Sequence, residues 1–259
     1  MIVTLRSLSD AGIFAIATYV AAIMEIPQRS LTSISIPVLA KSWKDKDFAN
    51  IKHVYHKSVS NLLAVGLLLF GLIWLNIENL VAFLNWISHK EGDGYEALVP
   101  LIFIMGLAKL IDLATGVNGQ IIGTSNYWKF DFFTNLFYIV LSIPLNYYLI
   151  NHYQLIGLAY SNLAALMLYN SVRFLFLYKK FNLQPYTLKH GLFLMLSIAF
   201  MFLLYKIPSP SNFVLNIAFK STVYGVGFYG LLTWINPAPE LKDVVQGFLK
   251  NKLFGFLRR

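Results

Sequence analysis

The sequence predicts an all-α integral membrane protein, a helical bundle of about seven transmembrane helices. Three observations predict it. The 259-residue chain is 57% hydrophobic and only 13% charged, against roughly 25% charged for a soluble domain. Several apolar runs exceed the ~18 to 20 residues needed to cross a hydrocarbon core. The runs are also too long for barrel strands, which alternate polar and apolar over only ~10 residues.

Taken in order, the predicted helices cover about residues 11–40, 57–84, 96–123, 128–150, 155–178, 188–206 and 213–235. The first contains Pro27 and Pro37, which remove backbone donors and bend a helix. The second starts early: in "DFANIKHVYHKSV", Phe48, Ile51, Tyr55 and Val59 fall at helical spacing on an interfacial approach. After Pro237 and Pro239, Leu241, Val244, Val245, Phe248, Leu249, Leu253 and Phe256 form one apolar stripe with lysines opposite. That pattern predicts an amphipathic tail helix lying on anionic lipid, or docking a partner.

Basic residues assign the sides. Lys41, Lys44, Lys46, Lys52 and Lys57 precede the second helix, and Lys129 lies between the third and fourth. Arg173, Lys179, Lys180 and Lys189 join the fifth to the sixth, and Lys242, Lys250, Lys252, Arg258 and Arg259 occupy the tail. The opposite side holds only Arg6, Lys90 and Lys206, with the acidic "HKEGDGYEA" loop. The positive-inside rule then puts the C-terminus in the cytoplasm and the N-terminus outside. The net charge of +9 is thus read as membrane topology rather than nucleic-acid binding. "MIVTLRSLSDAG" carries no signal-peptide pattern, so an outside N-terminus predicts a preceding helix and a longer transporter. The alternative is a seven-helix protein with a short translocated N-terminus.

The informative residues are the polar ones inside apolar segments. In "GLAKLIDLATGVNGQIIGTSN", Lys109 stands near mid-helix, where a charge costs at least ~2.5 to 3.5 kcal/mol unless paired or hydrated. Asp112 shares its face at i, i+3 and can pair with it. Asn118 and Gln120 extend the polar stripe, and Gly116, Gly119 and Gly123 permit close helix approach. The stripe either faces a translocation cavity or is a self-neutralised pair packed between helices. Glu25 and Arg29 repeat the pattern at i, i+4 around Pro27, as a site for an anionic head group or as a paired charge in a kinked helix. Lys220 either faces the cavity or snorkels to the outer interface. Arg173, with Asn162 and Asn170 upstream, either receives a phosphate at the cytoplasmic mouth or marks the membrane boundary.

Catalytic patterns fail. "DKD" at residues 45–47 reads as a solvated loop, and no phosphate-binding glycine loop, His-Glu-x-x-His or nucleophile elbow occurs. With no cysteine, and with His53 and His56 lacking further ligands, neither a metal nor a cofactor is expected, nor an enzyme.

Several stretches together resemble one family. "SLSDAGIFAIATYVAAIMEIPQRSLTSISIPVLAKSW" resembles the eighth helix of the polysaccharide flippases of the multidrug/oligosaccharidyl-lipid/polysaccharide exporter superfamily. "IPLNYYLINHYQLIGLAYSNLAALMLYNSVRFLFLYKKF" resembles helices eleven and twelve, and "GLAKLIDLATGVNGQIIGTSNYWKFD" helix ten of the branch assigned to lipopolysaccharide biosynthesis. Gln154 departs from that family's usual Tyr-Gly-Ile-x-Gly turn. The resemblance covers residues 1 to about 236 and implies one exporter lobe plus two extra helices. Residues 1–10 would end a preceding helix and form a periplasmic loop. Residues 11–182 would be the C-terminal lobe, 183–236 two added helices and 237–259 a cytoplasmic tail.

The implied function is outward movement of a polyprenyl-diphosphate-linked oligosaccharide across the inner membrane by alternating access, for lipopolysaccharide or another surface polysaccharide. Arg29 and Lys109 would meet the pyrophosphate, with Asn118, Gln120 and Arg173 along the pathway. Glu25 and Asp112 would tune charge or couple to an ion. Partners would be the lipid-linked glycan, membrane lipids, and an N-terminal lobe or second subunit, with no nucleic acid. A multidrug/cation antiporter of the same superfamily and a non-transporting scaffold for glycan assembly are the alternatives.

Overall fold

The computed structural model describes residues 6–88, 95–208, 210 and 212–257, with side chains described as far as Phe248. Lys90, most of the acidic loop, Arg258 and Arg259 lie outside the described residues, as do residues 1–5 and the side chains of Leu249, Lys250, Lys252, Leu253 and Phe256. Every regular element among the described residues is helical. Four helical segments are long and apolar enough to cross a bilayer: Leu8–Lys44, Phe48–Leu75, Trp128–Phe181 and Leu188–Lys206.

The predicted first helix is two. α1 (Leu8–Ala22) is capped by Ser7, whose hydroxyl accepts from the Asp10 amide at 3.0 Å. It tightens into a 3-10 turn, Ile23–Glu25, before α2 (Ile26–Lys44). Pro27 stands in the first turn of α2, where its missing N–H costs nothing, so it starts a helix here rather than kinking one. Pro37 lies inside α2, which continues past it. α3 (Phe48–Leu75) begins at Asp47, which accepts from the Asn50 amide at 2.9 Å. It stops at Asn76, whose side chain turns back to the Leu72 carbonyl at 2.8 Å. The predicted helix over 57–84 therefore starts earlier and divides, with α4 (Ile77–Ser88) continuing separately.

α5 (Leu98–Ala114) and α6 (Asn118–Gly123) replace the single helix predicted over 96–123. Between them Gly116 takes a left-handed φ of 64°, and a Cβ there would meet the Ser58 hydroxyl at 2.5 Å. That hydroxyl instead accepts from the Val117 amide at 3.2 Å, tying the break to α3.

α7 (Trp128–Phe181) is 54 residues long and broken at Gln154, with φ 58° and ψ −142°. A straight helix of that length would span ~80 Å, far beyond a ~30 Å hydrocarbon core. The arms instead fold back on each other. Phe130 stacks on Phe176 with centroids 4.0 Å apart, and Tyr138 meets Tyr169 at 5.1 Å. Gly157 makes the crossing possible, since a Cβ there would stand 2.1 Å from the Leu149 carbonyl oxygen.

α8 (Leu188–Lys206) and α9 (Phe213–Ile235) match their predicted bounds, and α10 (Pro239–Leu257) forms the tail. α5 packs against α1, α3 and α7, while α8 and α9 pack on each other and on α3. Close approach holds this second contact together, because lipid gives apolar helices little reason to associate. Tyr224 fits against Gly71, where a Cβ would be 2.2 Å from its ring, and its hydroxyl donates to the Leu67 carbonyl at 2.9 Å. Phe200 fits against Gly227 in the same way.

Candidate functional site

The break between α1 and α2 brings Glu25 opposite the middle of α5. One Glu25 carboxylate oxygen contacts the Lys109 ammonium and the other accepts from Arg29 Nη2 at 2.8 Å. Lys109 thus pairs across helices, and not with Asp112 on its own. The Asp112 carboxylate accepts from Gln28 Nε2 at 3.1 Å and Asn170 Nδ2 at 2.9 Å. The i, i+3 spacing did permit the local pair. The turn Ile23–Glu25 overrides it by placing a carboxylate and an amide one helical turn apart against the same face of α5. Two cations on one acid, and one acid among amides, leave these four charges balanced.

Exposure separates their roles. The Lys109 and Glu25 side chains are 21% and 23% exposed, whereas that of Arg29 is 75% exposed. Arg29 therefore keeps most of its guanidinium free to meet an anion while Glu25 orients it, the planar fork matching phosphate or carboxylate oxygens.

The next layer is structural. Asn170 Oδ1 accepts from Thr115 Oγ1 at 3.0 Å and from Asn118 Nδ2 at 3.1 Å, tying the end of α5 and the start of α6 to α7. Asn118 is buried, so its amide is used up inside the protein and does not line an open path. Gln120 lines a cleft of about 430 Å³ walled also by Ile36, Asp131, Asn135, Tyr169 and Arg173.

Arg173 is buried, with its Nη2 on Asp131 and its guanidinium 4.0 Å from the Tyr169 ring centroid. Gly119 packs under it, since a Cβ there would lie 2.6 Å from Nη1. The Arg173 Nε has no hydrogen-bond partner among the described residues. Sequence reasoning did not give Asp131 or Tyr169, although both are polar groups at helical spacing in apolar runs.

Lys220 is buried at 6% exposure with its ammonium 5.9 Å from the Tyr205 ring centroid, so its stem is covered rather than reaching along an open face. The Tyr205 hydroxyl donates to Glu78 at 2.6 Å. His56 donates from Nδ1 to the Pro185 carbonyl at 2.7 Å and faces His190 across 5.2 Å. His190 Nδ1 accepts from the Thr187 amide, so its proton sits on Nε2, beside Ser60 Oγ. Nearby Tyr186 donates to the Ala114 carbonyl at 3.1 Å, and burial pushes its hydroxyl pKa up to about 12. Among the described residues no three His, Cys, Asp or Glu side chains group as metal ligands.

These features define a helical protein with several membrane-length apolar segments and a charge cluster between them. Comparison with protein families, with curated proteins and with solved structures returns no match.

Proposed function

We propose that this chain is part of an inner-membrane flippase or exporter that moves a lipid-linked oligosaccharide outward by alternating access. The observation that carries the reading is the Glu25 carboxylate shared by Lys109 and a largely uncovered Arg29 at a helix break. Intramembrane charges are costly, and those that persist face bundle interiors or water-filled paths. Broken helices beside such paths are a recurring feature of transporters. In this reading the pyrophosphate of a polyprenyl-diphosphate-linked glycan displaces Arg29 from Glu25. Lys109 then balances the carboxylate, so no unpaired buried charge is left behind.

The finer architecture belongs to the same proposal. α1 through α7 form the C-terminal exporter lobe, and α8 and α9 are two added helices, giving about seven crossings. The opposite cavity wall comes from another lobe or a second subunit. The protein is not an enzyme and works without a cofactor. Its tail lies on the cytoplasmic leaflet, joined to α3 through the 2.7 Å pair of Lys57 and Glu240.

The test is surface glycan display in cells carrying Arg29→Ala or Lys109→Ala in the chromosomal gene, with membrane insertion followed by immunoblot. Export should fall at least tenfold while the protein still inserts. Normal display in both variants would end this reading. A scaffold role would show itself instead as lost display on deletion of residues 237–259, with both single variants silent.

A further inference from the structure

The tail helix meets the bundle across a gap. α10 is held at its start by the pair of Lys57 and Glu240, and Leu241 packs on the core around Leu232 and Ala238. Among the described residues it makes no extended contact with any other helix. Between it and the bundle lies a groove of about 400 Å³, walled by Val65 and Leu68 of α3, Gly225 and Leu232 of α9, and Leu241 and Val245 of α10. No charged side chain lines it. Gly225 keeps it open: a Cβ there would meet nothing within 4 Å, whereas at Gly227, two residues on, it would strike the Phe200 ring at 2.2 Å. One glycine admits a neighbouring helix and the other leaves a space.

Depth, size and charge together define the occupant. Val65 and Leu68 stand ~12 to 17 Å along α3 from Lys57, inside a hydrocarbon core ~30 Å thick whose edge that lysine marks. An apolar space at such depth stays dry, so hydrocarbon fills it. One turn of a partner helix, ~10 to 12 Å across and ~5 Å long, would alone take up this volume. An extended hydrocarbon chain can run its length. At the cytoplasmic end the chemistry changes. Glu240 neutralises Lys57, and Asp243 is exposed. Lys242, half-buried beside Leu241, forms no ion pair among the described residues. The rim therefore offers one cation to an anionic group at the head of the chain.

We propose that this groove binds one acyl chain of a glycerophospholipid from the cytoplasmic leaflet, with the phosphate on Lys242. The chain fills the gap between α10 and the bundle and so seats the tail. The site is independent of whatever the protein transports, and takes from the exporter reading only the leaflet that supplies the lipid.

The full chain in nanodiscs would be photolysed with phosphatidylglycerol carrying a diazirine near the middle of one acyl chain, and the adducts located by mass spectrometry of peptides. Adducts on Val65 and Leu68 are expected in the native chain, with Val140, exposed on α7, as the reference for bulk lipid. Gly225→Leu puts a side chain into the open space without a clash at Cβ. It should cut the groove adducts about tenfold, the weight of roughly two displaced methylene groups, with the Val140 adducts and the melting temperature unchanged. Lys242→Ala should cut them about fivefold, as one juxtamembrane lysine is worth. The same chain on diacylglycerol, which lacks the phosphate, should be indifferent to that change. Groove adducts at the native level in Gly225→Leu, or none in the native chain, would overturn the proposal. Their displacement by excess polyprenyl phosphate would overturn it too, by giving the groove to the transported lipid. Normal glycan display by Arg29→Ala and Lys109→Ala with the groove adducts intact would remove the exporter and leave the lipid site standing.

Discussion

Gln154 holds a backbone conformation that side chains disfavour. Its φ of 58° with ψ of −142° lies near a region almost confined to glycine. The strain is ~1 to 3 kcal/mol, whereas glycine's extra unfolded-state freedom costs only ~0.5 to 1 kcal/mol. Gln154→Gly should therefore raise stability by about 1 kcal/mol, read as a higher melting temperature in detergent. A lower melting temperature would show that the Gln154 side chain holds the turn. Gln154, in "HYQLIG", is thus a strained residue at the turn of the α7 hairpin. Arg173 gives the opposite case. Its pairing with Asp131 and stacking on Tyr169 join the arms of α7, and its side chain is 9% exposed. Arg173→Ala should cost about 3 kcal/mol, because it strands a half-buried carboxylate. Asp131→Asn with Arg173→Leu should recover part of the loss. Equal melting of native chain and Arg173→Ala would return Arg173 to the role of a boundary marker.

At the scale of elements, the contact of α9 with α3 depends on Gly71, which the sequence does not single out. A Cβ on Gly71 would stand 2.2 Å from both the Cζ and the hydroxyl of Tyr224. Gly71→Ala should destabilise by about 2 kcal/mol through overpacking. Tyr224→Phe should not relieve it, since Cζ clashes as well, whereas Tyr224→Leu should relieve it in part. Relief by phenylalanine would locate the clash in the hydroxyl alone. Legibility divides along similar lines. The approximate bounds read for α8 and α9 hold because their apolar runs stop cleanly, and Thr187 and Asn212 stand at their starts in the structure. The breaks at Asn76 and at Gly116 were not, because apolar residues continue on both sides and the stop comes from the Asn76 side chain and from Ser58 on another helix. Lys109 and Asp112 stood out as costly charges in grease, yet their partners did not, because the turn at Ile23–Glu25 places Glu25 and Gln28 and the packing of α7 on α5 places Asn170. The tail divides in the same way: Leu241 and Val245 face Leu68 and Leu232 on the bundle, while Val244 and Phe248 stay exposed.

For the whole molecule, orientation is the property on which the proposed transport direction depends. Lysines and arginines gather at the ends of α7 and at the starts of α3 and α8, and the turn at Gln154 lies at the far end of the α7 hairpin. In the proposed orientation, which follows the positive-inside rule, the first group lies in the cytoplasm and the turn outside. The chain contains no cysteine, so single cysteines can be introduced without a background thiol. Asn151→Cys, exposed beside the turn, should react in intact cells with a membrane-impermeant maleimide. Lys180→Cys, exposed at the other end of the same hairpin, should react only after the membrane is opened. The two positions are on one helical hairpin, so opposite accessibility also establishes that its arms cross the bilayer. If both react from outside, α7 lies along the surface and neither of its arms crosses the bilayer. If the pattern is inverted, the hairpin crosses with the opposite sense, and the clustered lysines reflect contact with something other than the cytoplasmic leaflet.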